Sequence, residues 1–269
     1  MTAPVPASGR RPLRPWNIPG RAAFHLAHRV AHRGLIVVWR TRRWRLVTGI
    51  RLQAWWHRST VAVEVAGDLR VGRRLRVSVE TNTAGRMRVG SGGRWGDGVR
   101  IDLRGGELVI GERVDIRQHC VLQVKGRLEM VGPNLIQHGC TLHCDERVTI
   151  GDHAVLSEYV TVVDSSHRHG GTAGWFLHDL RTSPVNIGPE VWVAAKATIA
   201  RGTDIGKGAV VGANSVVVRD VAPGSLVSGV PARVVGQRPP VEPGEAVSWE
   251  GPPLEFPELQ RTPRPEEGR

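Results

Sequence analysis

The stretch Val163-Asp164-Ser165-Ser166-His167-Arg168-His169-Gly170-Gly171 interrupts a sequence that is periodic on both sides of it. An imidazole exchanges protons near neutral pH, since its unperturbed pKa is ~6.5. His167 stands where the periodicity stops. The regular part reads as a scaffold and the break at His167 as the place where the chemistry happens, with a structural surface histidine as the plain alternative. Asp164, three residues earlier, is the kind of residue that orients an imidazole or contacts an acceptor; a turn residue is the other reading. His169 reads as solvated rather than catalytic.

The scaffold that must position these residues has a period of six. From Ile187 an aliphatic residue recurs at Val193, Ile199, Ile205, Val211 and Val217. Four residues after each comes a small or β-branched one: Val191, Ala197, Thr203, Ala209, Ser215, Val221. Gly188, Gly206 and Gly212 directly follow three of the aliphatic positions. Earlier turns fit in shifted registers: Ile150, Leu156 and Val162; Ile136 and Leu142; Ile110 and Ile116. Six is neither the helical nor the strand period, so the pattern excludes an amphipathic helix or a simple hairpin sheet. It predicts an all-β coil with flat faces, three hexapeptides to a turn, stacked into parallel sheets around an apolar column.

Three segments follow from composition. Residues 1–58 hold twelve Arg and no Lys, Asp or Glu, which accounts for the whole net charge of +12. The rest of the chain is balanced, so a nucleic-acid-binding body is a poor fit. Residues 21–57 are expected to be helical in patches broken at Gly34 and Gly49, mixing Arg with Trp39, Trp44, Trp55 and Trp56. Such a segment lies on an anionic membrane surface, or packs on the main domain with its Arg stems over apolar surface. A nucleic-acid arm is a third option. Residues 59–236 are expected to form the coil. Residues 237–269 carry eight Pro and little aliphatic content, and read as a disordered Pro-rich tail. The three cysteines, Cys120, Cys140 and Cys144, fit a reducing compartment rather than a disulfide framework. No transmembrane span is visible, and the chain is expected to be cytoplasmic, with peripheral contact to the inner membrane face through residues 1–58.

VTIGDHAVLSEYVTVVDSSH (148–167) and PVNIGPEVWVAAKATIARGTDIGKGAVVGANSVVVRDVAPGSLVSGVPARVVG (184–236) resemble the hexapeptide-repeat acyltransferases with a left-handed parallel β-helix. The likeness is to the maltose, galactoside and polysaccharide O-acetyltransferases. It is strong over those two blocks and weak over 103–147, and it leaves out 1–58 and the tail. It implies a CoA-dependent O-acyltransferase, using acetyl-CoA and no metal, in a homotrimer. His167 would be the base, at the root of an extruded loop of about Arg168 to Ser183. CoA would lie between neighbouring β-helices, touching Ala195, Ala213, Val218, Arg219 and Arg233, with the two arginines on phosphates. Trp192 would lie near the active site, and Gln137 stands where the galactoside enzymes carry an acceptor-contacting Asn. The acceptor would be a hydroxyl of a sugar or of a polysaccharide or glycolipid precursor. Its choice is expected from the loop residues Trp175, Phe176, Leu177 and His178. Transfer would be direct, in a ternary complex, because no Ser or Cys sits in an activated pairing.

Other readings remain. Serine or nucleotide-amino-sugar acetylation stays within the transferases. Ile136-Gln137-His138-Gly139-Cys140 is similar to part of a γ-class carbonic anhydrase motif, but Pro133 stands where a ligand is needed, and His138 and His143 lack a third partner. A non-enzymatic scaffold is the last alternative.

Overall fold

A computed structural model describes residues 43–66, 68–167 and 180–238. The six-residue beat becomes a parallel β-solenoid with three faces. The first face stacks Thr60–Val65, Ala84–Val89, Glu107–Ile110, Arg127–Met130, Arg147–Ile150, Val185–Ile187 and Asp204–Ile205. The second runs from Arg70–Val71 through Arg94–Trp95, Val114–Ile116, Asn134–Ile136, Val155–Leu156, Trp192–Val193 and Val210–Val211. It ends in an antiparallel pair, Ser225–Gly229 with Ala232–Gln237. The third stacks Arg76–Val79, Arg100–Leu103, Val121–Val124, Thr141–Cys144, Thr161–Val163, Thr198–Ile199 and Val216–Val217. The described residues belong to one unit that ends at Arg238. Gln237, placed in the tail by composition, still pairs with Ser225.

The inward positions read from the repeat form the core. Ile187, Val193, Ile199, Ile205, Val211 and Val217 are at most 1% exposed, and Ala197, Thr203, Ala209 and Ser215 are buried beside them. Each buried aliphatic side chain contributes about 1.5–3 kcal/mol relative to exposure, so this column holds the coils together. Backbone bonds between coils add to it, as in Ala200 N–H to the Val217 carbonyl at 2.9 Å. The glycine steps have a steric cause. A Cβ on Gly188 would lie 2.8 Å from the Ile205 carbonyl oxygen, because neighbouring coils cross closely at that corner.

The helix Arg43–Trp56 runs through Gly49, so the break expected there does not occur. Leu46, Ile50 and Ala54, spaced by four, bury one helical stripe against the strands Thr60–Val65 and Arg76–Val79. That packing outweighs the roughly 1 kcal/mol that a glycine costs inside a helix. Leu52, Trp55 and Trp56 remain exposed. Trp39 and the rest of residues 1–42, the extruded loop with His169, Trp175, Phe176, Leu177 and His178, and the tail beyond Arg238 lie outside the described residues. Among the described residues no helix is long and apolar enough to cross a membrane.

Coil length changes along the axis. Asn186 pairs with Asp204 and Thr198 with Val216, so each upper coil advances by three hexapeptides. Thr141 pairs with Thr161 and Arg127 with Arg147, so the coils below are two residues longer. The first coil is longer still, with Thr60 opposite Ala84. The extra residues lie between the third and first faces. From Thr141 to Thr149 is eight positions, whereas from the equivalent Thr198 to Asp204 is six.

Candidate active site

His167 sits at the corner between the third and first faces. After Val163 the chain leaves the solenoid as a two-stranded antiparallel ribbon, Ser165–His167 against Leu180–Thr182. His167 faces Leu180 across it and is exposed. The loop therefore departs on a hydrogen-bonded stem, a narrower base than an open loop from Arg168 to Ser183. A short ribbon fixes the direction of the side chains it carries, which a free loop would not.

Two side chains tie the ribbon down. The Arg201 guanidinium donates from Nε to Ser166 Oγ at 2.7 Å and from Nη1 to Ser183 Oγ at 3.4 Å. The Ser165 hydroxyl donates to Asp145 Oδ2 at 2.6 Å. Arg201 thus joins both ends of the extruded segment to the next coil. Residue type alone does not reveal this; the register of Thr161 with Thr198 does, by placing Arg201 directly over Asp164.

Asp164, the other residue expected at the site, carries a structural load at this corner. It is fully buried, and its carboxylate accepts three backbone N–H groups at 2.8 Å each: Asp145 on Oδ1, Glu146 and Arg147 on Oδ2. Its own carbonyl accepts Ser183 N–H at 2.9 Å. Asp164 therefore holds the wide corner of the longer coil below it and the return of the loop above it. Three charge-assisted hydrogen bonds from backbone donors offset the cost of burying the carboxylate.

His167 also lines an open cleft of ≈ 230 Å³ with Arg104, Gln123, Lys125, His143, Cys144, Asp145, Ser165 and Leu180. Gln123 and His143 stack in register on the third face, and Arg104, Lys125 and Asp145 come from the corner itself. Most of this lining has no signature in the sequence, because Arg104, Gln123, Lys125 and His143 belong to earlier coils, far from His167 along the chain. Cys144 is no nucleophile here. Burial first, then the nearby Asp164 carboxylate, pushes its thiol up to about 12, so it stays protonated at neutral pH. Cys120 and Cys140 are buried in the column, their thiols donating to the Gln137 and Ser157 carbonyls. The contact with Cys120, and then burial, pushes the Cys140 thiol up.

The remaining expected site residues fall into two groups. Val218 and Arg219 share the His167 corner, one coil above Arg201, and both are exposed. Gln137, Trp192, Ala195 and Ala213 lie on the second face or at its corner with the third. Arg233 pairs with Ser228 at the edge of that face. The Trp192 indole donates to Ser157 Oγ at 3.0 Å and is half-buried. One chain therefore does not bring the two groups together. His138 packs edge-on against Tyr159 at the second–third corner, while His143 lines the cleft, so the two histidines do not converge.

No family model matches the chain. Rv3034c of Mycobacterium tuberculosis, named a probable acetyltransferase, is 30% identical over 142 residues, 52% of this chain and 43% of that protein. The galactoside O-acetyltransferase of Escherichia coli is 34% identical over 101 residues, 35% of this chain and 46% of that enzyme. The chain spans about half the length of these curated relatives. The crystal structure of the polySia specific acetyltransferase NeuO superposes with a TM-score of 0.54 at 18% identity, over 71% of this chain and 88% of that one, a likeness of fold. Periodic core and three-faced coil agree with the superposed structure on the fold, a parallel β-solenoid built on a six-residue repeat, and the sequence relatives that the chain matches in part are named acetyltransferases.

Proposed function

We propose that the chain is a CoA-dependent O-acyltransferase that moves an acetyl group from acetyl-CoA to a hydroxyl of a sugar or glycan precursor. The observation that carries this reading is the seat of His167: an exposed imidazole on a tethered ribbon, at the rim of a cleft large enough for a saccharide unit. His167 takes the proton of the acceptor hydroxyl as its oxygen attacks the thioester carbonyl. The new C–O bond forms, the C–S bond breaks, and the imidazolium returns the proton to the CoA sulfur. A positioned base of this kind contributes about 10²–10⁴-fold, and alignment of the two substrates supplies much of the rest. The protonated Cys144 supports direct transfer without an acyl-enzyme.

The split between the two residue groups supports a homotrimer. Arg219 and Val218 of one copy would face Ala195, Ala213 and Arg233 of a neighbour, with CoA between them and Trp192 and Gln137 at its rim. The arginine-rich extension, with Trp55 and Trp56 exposed beside it, supports peripheral contact with an anionic membrane. Co-sedimentation of the full chain with anionic but not neutral vesicles checks that part.

The test of the reaction is thiol release from acetyl-CoA across a panel of sugars and glycan precursors, for the native chain and His167→Ala. Acceptor-dependent release that falls at least about a hundredfold in the variant supports the assignment. Release that survives the substitution removes His167 from the chemistry.

A further inference from the structure

The cleft beside His167 carries a charge pattern that the transfer reaction does not use. Elsewhere on the solenoid, several outward arginines are neutralised along the ladders. Arg127 Nη1 meets Glu107 Oε2 at 2.6 Å and its Nη2 meets Glu129 at 3.0 Å; Arg94 meets Asp115 at 2.6 Å. Arg104 and Lys125 are cations of the same surface, yet among the described residues neither has an ion-pair partner. Both are exposed, and both line the cleft that His167 borders. Among the described residues of that lining the one carboxylate, Asp145, takes the Ser165 hydroxyl on its side chain.

The position of these cations is set by the coil. Val121 pairs with Arg100 in one direction and Thr141 in the other, so Arg104 and Lys125 follow strands stacked one above the other at a single corner. Gln123 and His143 stand just before that corner on the third face, with amide and imidazole groups suited to sugar hydroxyls. Two cations below the base and hydroxyl-binding groups between them describe a subsite for a saccharide that bears negative charge.

We propose that this cleft is the acceptor subsite and that it selects an anionic saccharide, its carboxylate or phosphate held by Arg104 and Lys125 and a hydroxyl presented to His167. The inference rests on the acyl-transfer reading for the last clause only; the binding clause stands apart from it. An arginine and a lysine that line one cleft and both reach an oxyanion there would give charge-assisted bonds, whose loss weakens binding by about tenfold each.

The experiment uses the full chain with three probes: trigalacturonic acid, galactose 1-phosphate, and galactotriose as the neutral control. Direct binding is measured by calorimetry with and without acetyl-CoA, and thiol release is followed in parallel. Arg104→Ala and Lys125→Ala, both at exposed positions, are compared with the native chain, and each binding series is repeated at raised salt. The expected result is that an acidic probe binds, that galactotriose does not, and that each substitution raises its Kd and KM about tenfold with kcat little changed. Binding should also weaken with salt. Preference between trigalacturonic acid and galactose 1-phosphate names the source of the oxyanion. Equal binding of neutral and acidic probes, no binding of either acidic probe, or acidic binding indifferent to both substitutions overturns the proposal. Acidic binding that obeys the substitutions without any thiol release keeps the subsite and instead removes the transfer reaction.

Discussion

The backbone N–H of Asp145 donates to the Asp164 carboxylate at 2.8 Å, and Asp145 in turn accepts the Ser165 hydroxyl at 2.6 Å through its own side chain. The two aspartates thus lock adjacent coils in both directions at the corner that bears His167.

Removing the Asp164 carboxylate leaves three backbone N–H groups without an acceptor at a buried corner. Each orphaned donor carries a desolvation cost of about 1–3 kcal/mol, and relaxation or entering water recovers part of it. Asp164→Ala should lower the stability of the solenoid by roughly 3 kcal/mol in urea or guanidinium unfolding. A loss under about 1 kcal/mol, with activity abolished, would return Asp164 to the catalytic role its sequence position suggests.

Arg201 touches the ribbon and not the base, so its effect should be one of positioning. Arg201→Ala is expected to lower kcat about tenfold through misplacement of His167, while the KM for acetyl-CoA changes little. Arg201→Lys, which keeps a donor for Ser166, should recover part of the loss. Equal losses in kcat and in the CoA KM would place Arg201 in donor binding instead.

The Cys144 thiol is raised in the fold from its ordinary value of 9.0 to about 12. The unfolded chain releases that proton above about pH 9 and the folded chain does not. The stabilisation is therefore complete below about 9, falls as pH rises, and is exhausted above about 12. Unfolding midpoints measured from about pH 8 to about pH 11 should decline, and Cys144→Ala should flatten part of that slope. An identical slope in the variant would show that other groups cause the decline.

Gly188→Ala sets a Cβ 2.8 Å from the Ile205 carbonyl oxygen and 2.9 Å from the Lys207 nitrogen. Both contacts are backbone, so the coil itself must move. The expected cost is about 2 kcal/mol or more, read as a lower midpoint in thermal or denaturant unfolding. An unchanged midpoint would mean that the crossing of coils is looser than these distances.

The upper coils are legible in the sequence because each advances by a whole number of hexapeptides, so Ile187 to Val217 keep one register. The lower coils each carry at least two residues more, and the same inward residues then look like fragments in shifted phases. The place of His167 at the root of the ribbon is legible because the periodicity ends at it. The three backbone N–H groups on the Asp164 carboxylate are not legible, because an acid three residues before a histidine draws attention to the histidine, while these donors belong to the preceding coil. Arg201, Arg104 and Lys125 carry no local mark; only the stacking of coils brings them to the ribbon and the cleft. Gly49 reads as a break on propensity, and the buried stripe of Leu46, Ile50 and Ala54 overrides it.

The two extra residues per lower coil all fall at one corner, and the cleft lies where those coils meet the shorter ones above. The perimeter of a coil is therefore a dimension that can be varied separately from its core. Inserting or deleting a dipeptide beside Lys125-Gly126, away from the backbone groups that Asp164 holds, would reshape the recess while the inward residues of each face keep their spacing. In such a fold the breadth of the recess is written in chain length, so a change of partner molecule can arise from a short indel with no exchange of core residues.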